Sequence, residues 1–451
     1  MIENFDKYID LLHERKFGQL KKELSELYEQ DIAEFLEEVE TPEDVVKIFR
    51  LLPKNMGADT FSYMDSDLQE DLVRRLSDNE VTGIIEDIAV DDAVDLLDEM
   101  PANVARRILA LAKPETRTTI NRLLQYEDDT AGSVMTTEYI DLKLGTTVEE
   151  AFNILRKKAK DTEQINTFYV IDNRRVLKGV VSIRDLILAE RNAIIDDLME
   201  ENLIYGETFT DQETLALLFQ KYDILTMPVV DKEQRLVGIV TVDDIIDIMA
   251  EEATEDISLM AGVTATSDKP YLKTGAFRHW LSRLPWLMLL MVSATFTGII
   301  LNSYEKALSA VLVACIPMLM GTGGNAGAQA SVTVIRGISL QEVESRDFFK
   351  VVWMEIRVGI LCALCLGAIC FGKLMLIDNL LLGYGYDALN SFVVALALSI
   401  TVIVAKLVGC ILPFIAKAVK LDPAVVASPF ITTIIDVLSL LLFVLFATAI
   451  L

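Results

Sequence analysis

Residues 423–450 read PAVVASPFITTIIDVLSLLLFVLFATAI, an apolar run long enough to cross a bilayer with one carboxylate, Asp436, in its middle. A charge at mid-membrane costs roughly 2.5 to 3.5 kcal/mol on insertion scales, so an intramembrane acid is read first as part of an ion path. On a helix, Ser428, Thr432, Asp436 and Ser439 recur every three or four residues and form one polar stripe, which must face protein or water. Pro429 beside the stripe is expected to open or kink the backbone there and free a carbonyl toward the same side. The alternative for Asp436 is an ion pair with Lys406 on a neighbouring helix.

Four more apolar segments precede this one, at about residues 284–301, 308–335, 348–377 and 392–416, which makes five membrane helices. Lys273, Arg278, Arg283, Arg336, Arg346, Lys350, Lys417 and Lys420 then share one side and Lys306 lies on the other, so the N-terminus is expected in the cytoplasm and the C-terminus outside. The second segment carries GTGGNAGAQAS at residues 321–331, whose glycines either let helices pack closely or break the helix where backbone faces an ion. Asn325 and Gln329, four apart, point the same way and are expected to line a pore with Thr432 and Ser428. Five helices are an awkward pore alone, so a twofold homodimer is expected.

The chain of 451 residues has net charge −27, and the average hides two different halves. Before residue 273 stand 29 Lys or Arg against 59 Asp or Glu, a net of −30; from there on the counts are 12 and 9. So acidic a soluble part excludes nucleic acid as a partner and favours cations. The opening MIENFDKYIDLLHERKFG is charged and has no apolar signal core, so the acidic part is expected to stay in the cytoplasm. All five cysteines lie in apolar segments, and Cys362 and Cys365 form a CxxC without a second pair, so neither disulfides nor zinc are expected.

Residues 1–128 read as short amphipathic helices in an acidic, all-α superhelix, with similar blocks opened by Leu52-Pro53 and Met100-Pro101. A sharper repeat follows within residues 129–245: YVIDNRRVLKGVVSIRDL from Tyr169 matches PVVDKEQRLVGIVTVDDI from Pro228 at an offset of 59. Each unit reads as strand, turn, strand and a helix capped by Ser182 or Thr241. This resembles the α/β CBS domain pair, a module that often binds adenosine compounds. The resemblance implies a nucleotide site at Ser182, Arg184 and Asp185, although Thr167 and Ile224 stand where an aromatic ring would hold adenine. Residues 246–276 connect to the membrane domain, residues 277–451. Glu252, Glu255 and Asp256 share one helix face there, with no basic residue between Arg235 and Lys269. Like charges so close repel unless a cation sits on them, and hard oxygen ligands suit Mg²⁺ or Ca²⁺.

Taken together, LLQYEDDTAGSVMT, the CBS pair, EEATEDI, GTGGNAGAQ and LDPAVVASPFITTIIDV resemble, in this order and across the chain, the MgtE magnesium channels and transporters. The resemblance implies a homodimeric, passive Mg²⁺ path in the cell membrane closed by cytosolic Mg²⁺, with ATP as a further ligand. In it Asp436 is the pore aspartate, Asp422 an acid at the inner mouth, and Glu252, Glu255 and Asp256 belong to a plug helix. Glu213 and Asp223 would share the plug's ions, while Asp91, Asp92 and Asp95 would meet the CBS face near Asp211, Asp244 and Asp247. Ala328 and Ser428 stand where relatives carry asparagine. Rival classes lack their residues: His13 and His279 make no HExxH for a metalloprotease, no P-loop is present, and an anion channel would not carry Asp436 at its constriction. Oxygen sites leave Mn²⁺, Co²⁺ or Ni²⁺ as alternative cargo.

Overall fold

The computed structural model describes residues 5–159, 162, 164–264, 271, 274–304, 308–426 and 428–450, the side chains of Val426 and Ser428 excepted. Lys273 and Lys306, used above for topology, lie outside the described residues. The chain forms two compact units, Met1–Met249 and Ala250–Leu451.

The first unit begins with ten helices, α1–α10, running from Asp6–His13 to Pro114–Leu123. At eight to ten residues each they are too short to persist alone, so their stability comes from stacking. Starts are marked by Pro42 and Pro114 in first turns and by a capping box of Ser77 and Glu80. The helix α5 (Lys54–Ser62) packs on α3 (Glu29–Glu38) and α7 (Asp78–Asp87), and α7 on α9 (Ala102–Leu111), so alternate helices stack into the expected superhelix. Phe35, Phe61, Ile32, Ile48, Leu72 and Ile85 fill its axis.

Two three-stranded sheets follow, β1 (Asp141–Lys143), β2 (Thr167–Ile171) and β3 (Leu177–Ser182), then β4 (Gly206–Glu207), β5 (Thr226–Val230) and β6 (Leu236–Thr241). In each the first pair is parallel and the second antiparallel, and the bulge after Val170 recurs after Val229, so the repeat holds down to its irregularities. Both repeat glycines are required by close packing: a Cβ at Gly179 would lie 2.6 Å from the Met199 sulfur, and one at Gly238 2.5 Å from that of Met135. The sheets share a core through Tyr139, Tyr169, Val230 and Ile239, and the buried Tyr169 hydroxyl donates to Thr226 Oγ1 at 2.9 Å. Their helices are α11 (Val148–Lys158), α12 (Ile183–Leu188), α13 (Gln212–Tyr222) and α14 (Val242–Met260), the last continuing past Met249.

Five helices of the second unit are long and apolar enough to span a membrane. They are α15 (Ala276–Tyr304); α17 (Ile316–Ser339), preceded by the short α16 (Ala310–Val313); α18 (Phe348–Gly372), continued by a π-helical stretch Lys373–Leu381; α19 (Ala388–Ala418); and α20 (Ser428–Ile450). Leu289, Phe296, Leu361, Leu364 and Leu445 point outward, as a chain solvated by lipid requires. The glycine-rich segment does not break: α17 is continuous, and its glycines serve close packing. A Cβ at Gly327 would collide with Ile435 and approach the Ala405 carbonyl at 3.0 Å, and one at Gly409 would run into the Gly327 carbonyl. The expected kink at Pro429 is also absent, because Pro429 sits in the first turn of α20, where a proline removes no helical hydrogen bond.

Gly327→Val is therefore expected to destabilise the membrane domain by about 1–3 kcal/mol, the usual cost of overpacking. Gly298→Ala, at a position with open space around it, should leave stability equal or slightly higher. Thermal unfolding of both variants in one detergent checks this.

Candidate cation pathway and cytosolic acidic sites

Asp436 and Thr432 lie one turn apart on α20 beside Gly324 of α17: a Cβ on that glycine would sit 3.3 Å from the Thr432 methyl and 3.9 Å from Asp436 Oδ1. The absence of a side chain at 324 leaves room for a carboxylate between two packed helices. Asp436 and Thr432 are half-buried, while Asn325 and Gln329 on α17 are exposed on the surface of this chain. Thr432 Oγ1 donates to the Pro429 carbonyl at 2.9 Å, as does Thr433 at 3.0 Å, so that carbonyl is occupied by threonines and not freed. Ser439 is fully buried, donates to Ile435 at 2.6 Å and packs toward Gly323; the Ser428 side chain lies outside the described residues. Lys406 does not pair with Asp436: its ammonium lies 3.7 Å from Glu355, both side chains being buried between α18 and α19. Among the described residues no basic group pairs with Asp436.

At the N-terminal end of α20, Asp422 Oδ1 accepts from the Ala424 amide at 2.7 Å and caps the turn Pro423–Val426. The last turns of α14 rest on the same region, with Leu259 and Met260 against Ile335 and Ala424. Gly262 (φ +69°) turns the chain where a Cβ would come within 3.0 Å of Pro429. Ser339 Oγ lies 3.5 Å from the Asp256 carboxylate. Burial first, then the charges of Asp422 and Glu252, raise the Asp256 pKa above the ordinary carboxylate range. Such a carboxylate gains from any cation that enters. Glu252 is half-buried one turn before Asp256, and Glu255 is exposed.

In the first unit, α8 (Val90–Glu99) carries Asp92 and Asp95 up to the start of α14. Burial, then Asp92, Asp244, Asp98 and Glu99, pushes Asp95 up to about 7; burial with Asp243 and Asp92 pushes Asp244 up to about 6. Asp92 is raised as well, by burial and by Asp59 and Asp243. Asp92 and Asp95 are nevertheless exposed at the surface, so water screens part of this effect. Thr241 Oγ1 donates to Asp244 Oδ2 at 2.5 Å. Asp59 and Asp243 belong to this group and were not foreseen: Asp243 was legible beside Asp244, whereas nothing local marks Asp59. Of the remaining expected acids, Asp91 is buried in the helical lobe and Asp247 is exposed one turn beyond the group. Asp211, which caps α13, keeps company with Asp129, raised by burial, Asp128 and Asp211 itself. Glu213 and Asp223 stand at opposite ends of α13, about 15 Å apart at 1.5 Å per residue, so they do not meet within one chain. Among the described residues no three His, Cys, Asp or Glu side chains converge in a metal-holding geometry. The acids are crowded, not chelating.

Ser182, Arg184 and Asp185 line a cleft of about 530 Å³ together with Thr167, Glu200, Ile224 and Thr226. Ser182 Oγ donates to Asp185 Oδ2 at 2.5 Å and accepts from the Asp185 amide at 3.1 Å, capping α12. The cleft has the size for a nucleotide but no aromatic wall. Its counterpart in the second repeat, Thr241 with Asp244, faces the acidic group instead.

The fold defines a multi-pass membrane protein with an acidic, CBS-bearing unit. Residues 316–446 match the family described as MgtE, divalent cation transporter; residues 27–129 match the MgtE intracellular N domain; residues 131–192 and 195–251 match CBS domains. The chain is 36% identical over 440 residues to the magnesium transporter MgtE of Thermus thermophilus, covering 96% of this chain and 95% of that one. It is 34% identical over 434 residues to the magnesium transporter MgtE of Bacillus subtilis, covering 93% and 94%. A solved cytosolic domain of the Mg²⁺ channel MgtE in complex with ATP superposes with TM-score 0.52 at 36% identity, over 54% of this chain and all of that one. The protein belongs to the MgtE family.

The raised carboxyls have a consequence for pH. The folded protein holds protons on Asp95 and Asp244 more tightly than the unfolded chain, so their contribution to stability falls as pH rises from about 4 through about 7. Asp95→Asn should stabilise the protein above pH 7 by on the order of 1 kcal/mol, discounted for water's access, with the gain vanishing toward pH 4. Thermal unfolding across that range, without divalent cations, checks it.

Proposed function

We propose that this protein is a homodimeric channel that passes Mg²⁺ inward down its electrochemical gradient and is closed by cytosolic Mg²⁺. The observation that carries the reading is Asp436, a membrane-embedded carboxylate with no basic partner among the described residues, set beside the small Gly324. Asn325 and Gln329 support a twofold assembly, because polar side chains exposed on a membrane helix need protein or water opposite them. Across such an axis Asp436, Thr432, Asn325, Gln329 and Ser428 would line one path. Mg²⁺ dehydrates reluctantly, so one carboxylate per subunit with amides and hydroxyls suits a hydrated ion better than a full cage. An inside-negative potential contributes about 4.6 kcal/mol per 100 mV for a divalent ion, and this suffices for influx. The ends of α15, α17, α18, α19 and α20 that carry Arg278, Arg283, Arg336, Arg346, Lys350, Lys417 and Lys420 fall on one side by strict alternation, which supports a cytoplasmic N-terminus.

Regulation follows from the acids. Asp256 near Asp422, with Glu252 and Glu255, would form the plug at the inner mouth. Asp92, Asp95 and Asp244, with Asp59 and Asp243, would form the sensing group, flanked by Asp91, Asp211 and Asp247. Both are crowded negative surfaces that a divalent ion relaxes. Glu213 and Asp223, separated along α13, would share an ion only by meeting groups of other elements or of the second subunit. The cleft at Ser182, Arg184 and Asp185 would take ATP, the ligand with which the related cytosolic domain was solved.

Asp436→Asn preserves shape and removes the charge. At equal surface expression it should lower Mg²⁺ influx into cells or vesicles at least tenfold, roughly the effect of losing 1.4 kcal/mol of favourable interaction. Wild-type flux in this variant would remove Asp436 from the path.

A further inference from the structure

The hydrocarbon crossing of α18 is bracketed by two cations. Residues 358–372 are uncharged and rise about 22 Å, less than the roughly 30 Å hydrocarbon layer, so Arg357 and Lys373 both start inside its edges. Lys373 is matched within the chain: its ammonium lies 2.6 Å from the carboxylate of the buried Asp378. Arg357 is not. It is exposed, and its guanidinium donates to the Met354 sulfur at 3.3 Å, which bends it toward the N-terminal end of α18. Among the described residues no carboxylate pairs with it. The inward face of the same helix carries Glu355, already taken by Lys406.

Lys350, Trp353, Arg357, Leu361 and Leu364 recur every three or four residues and so share one face of α18. Trp353 is 59% exposed, and Leu361 and Leu364 are 65% and 67% exposed. Lys350 is paired with Asp347 at 2.6 Å, and Arg346 with Glu344 at 2.8 Å, but at the surface these cations stay open to a further anion. The face thus has a basic and aromatic end and an aliphatic end. Its charge and length match one molecule, an acidic headgroup beside the guanidinium with its acyl chain along the leucines.

We propose that this face of α18 is a binding site for an anionic phospholipid, with the phosphate held by Arg357 and assisted by Lys350, Trp353 at the level of the glycerol, and Leu361 and Leu364 along the tail. The site depends on neither the membrane orientation nor the transported ion.

The chain has three tryptophans, so Trp280→Phe and Trp286→Phe leave Trp353 as the reporter. The full-length protein is reconstituted in mixed phosphatidylcholine and phosphatidylglycerol vesicles in which one lipid or the other has brominated acyl chains. Per brominated molecule, phosphatidylglycerol should quench Trp353 about fivefold more effectively, the factor for about 1 kcal/mol per basic residue near a surface. Arg357→Gln should bring the two lipids close to parity and Arg357→Lys should keep most of the preference. Equal quenching by both lipids in the protein with Arg357 intact overturns the proposal without any need for the variants. So does a preference undiminished in Arg357→Gln, which would be a general surface effect. Absence of quenching by either lipid also overturns it, because protein would then cover this face and a second copy would be the occupant.

Discussion

The cost of holding one carboxylate inside the hydrocarbon layer organises the membrane half of this protein. Asp436 can persist there only if water, polar groups or a cation reach it, and the packing around it follows from that need. Gly324 leaves space beside the carboxylate, and Gly323 and Gly327 of α17 let the helices pack closely around it. Another membrane-segment acid, Glu355 on α18, is paired with Lys406 of α19. Two intramembrane acids of one domain, on α20 and on α18, thus have different surroundings. The difference lies in which one has a cation of its own.

The acidic half runs on the same electrostatics in water. Burial and the crowding of carboxylates on α8 and at the start of α14 push Asp95 up to about 7 and Asp244 up to about 6, and after burial the charge of Asp422 helps to raise Asp256 near the end of α14. Apposed faces of one sign repel within a Debye length of about 8 Å. Protons or divalent ions relieve such repulsion, and in the proposed function this is what would favour a compact arrangement. Under the proposed function, a protein that conducts the ion and is compacted by it would have negative feedback without a separate effector.

Much of this was legible in the chain because the signals are periodic or costly. The 59-residue repeat carried through to two sheets with paired bulges, and the lone Asp436 of the last apolar run falls inside a membrane-length helix, near Gly324. What was misread depends on position within helices. Pro429 reads as a kink in the sequence because nothing local marks the start of α20. The α17 glycines left two readings open, and only the facing residues, Ile435, Ala405 and Gly409, decide for packing. Asp59 joins the acidic group through tertiary folding alone, which no local pattern records.

The central claim is that the ion which Asp436 admits is the ion that closes the path from inside. Mg²⁺ uptake into proteoliposomes at a fixed inside-negative potential, with internal Mg²⁺ set at graded levels before the flux begins, tests it directly. The account predicts fast uptake when internal Mg²⁺ is low and a steep fall over a narrow range as it rises, steeper than the loss of gradient alone produces. Uptake that follows only the gradient, whatever the internal level, would contradict it.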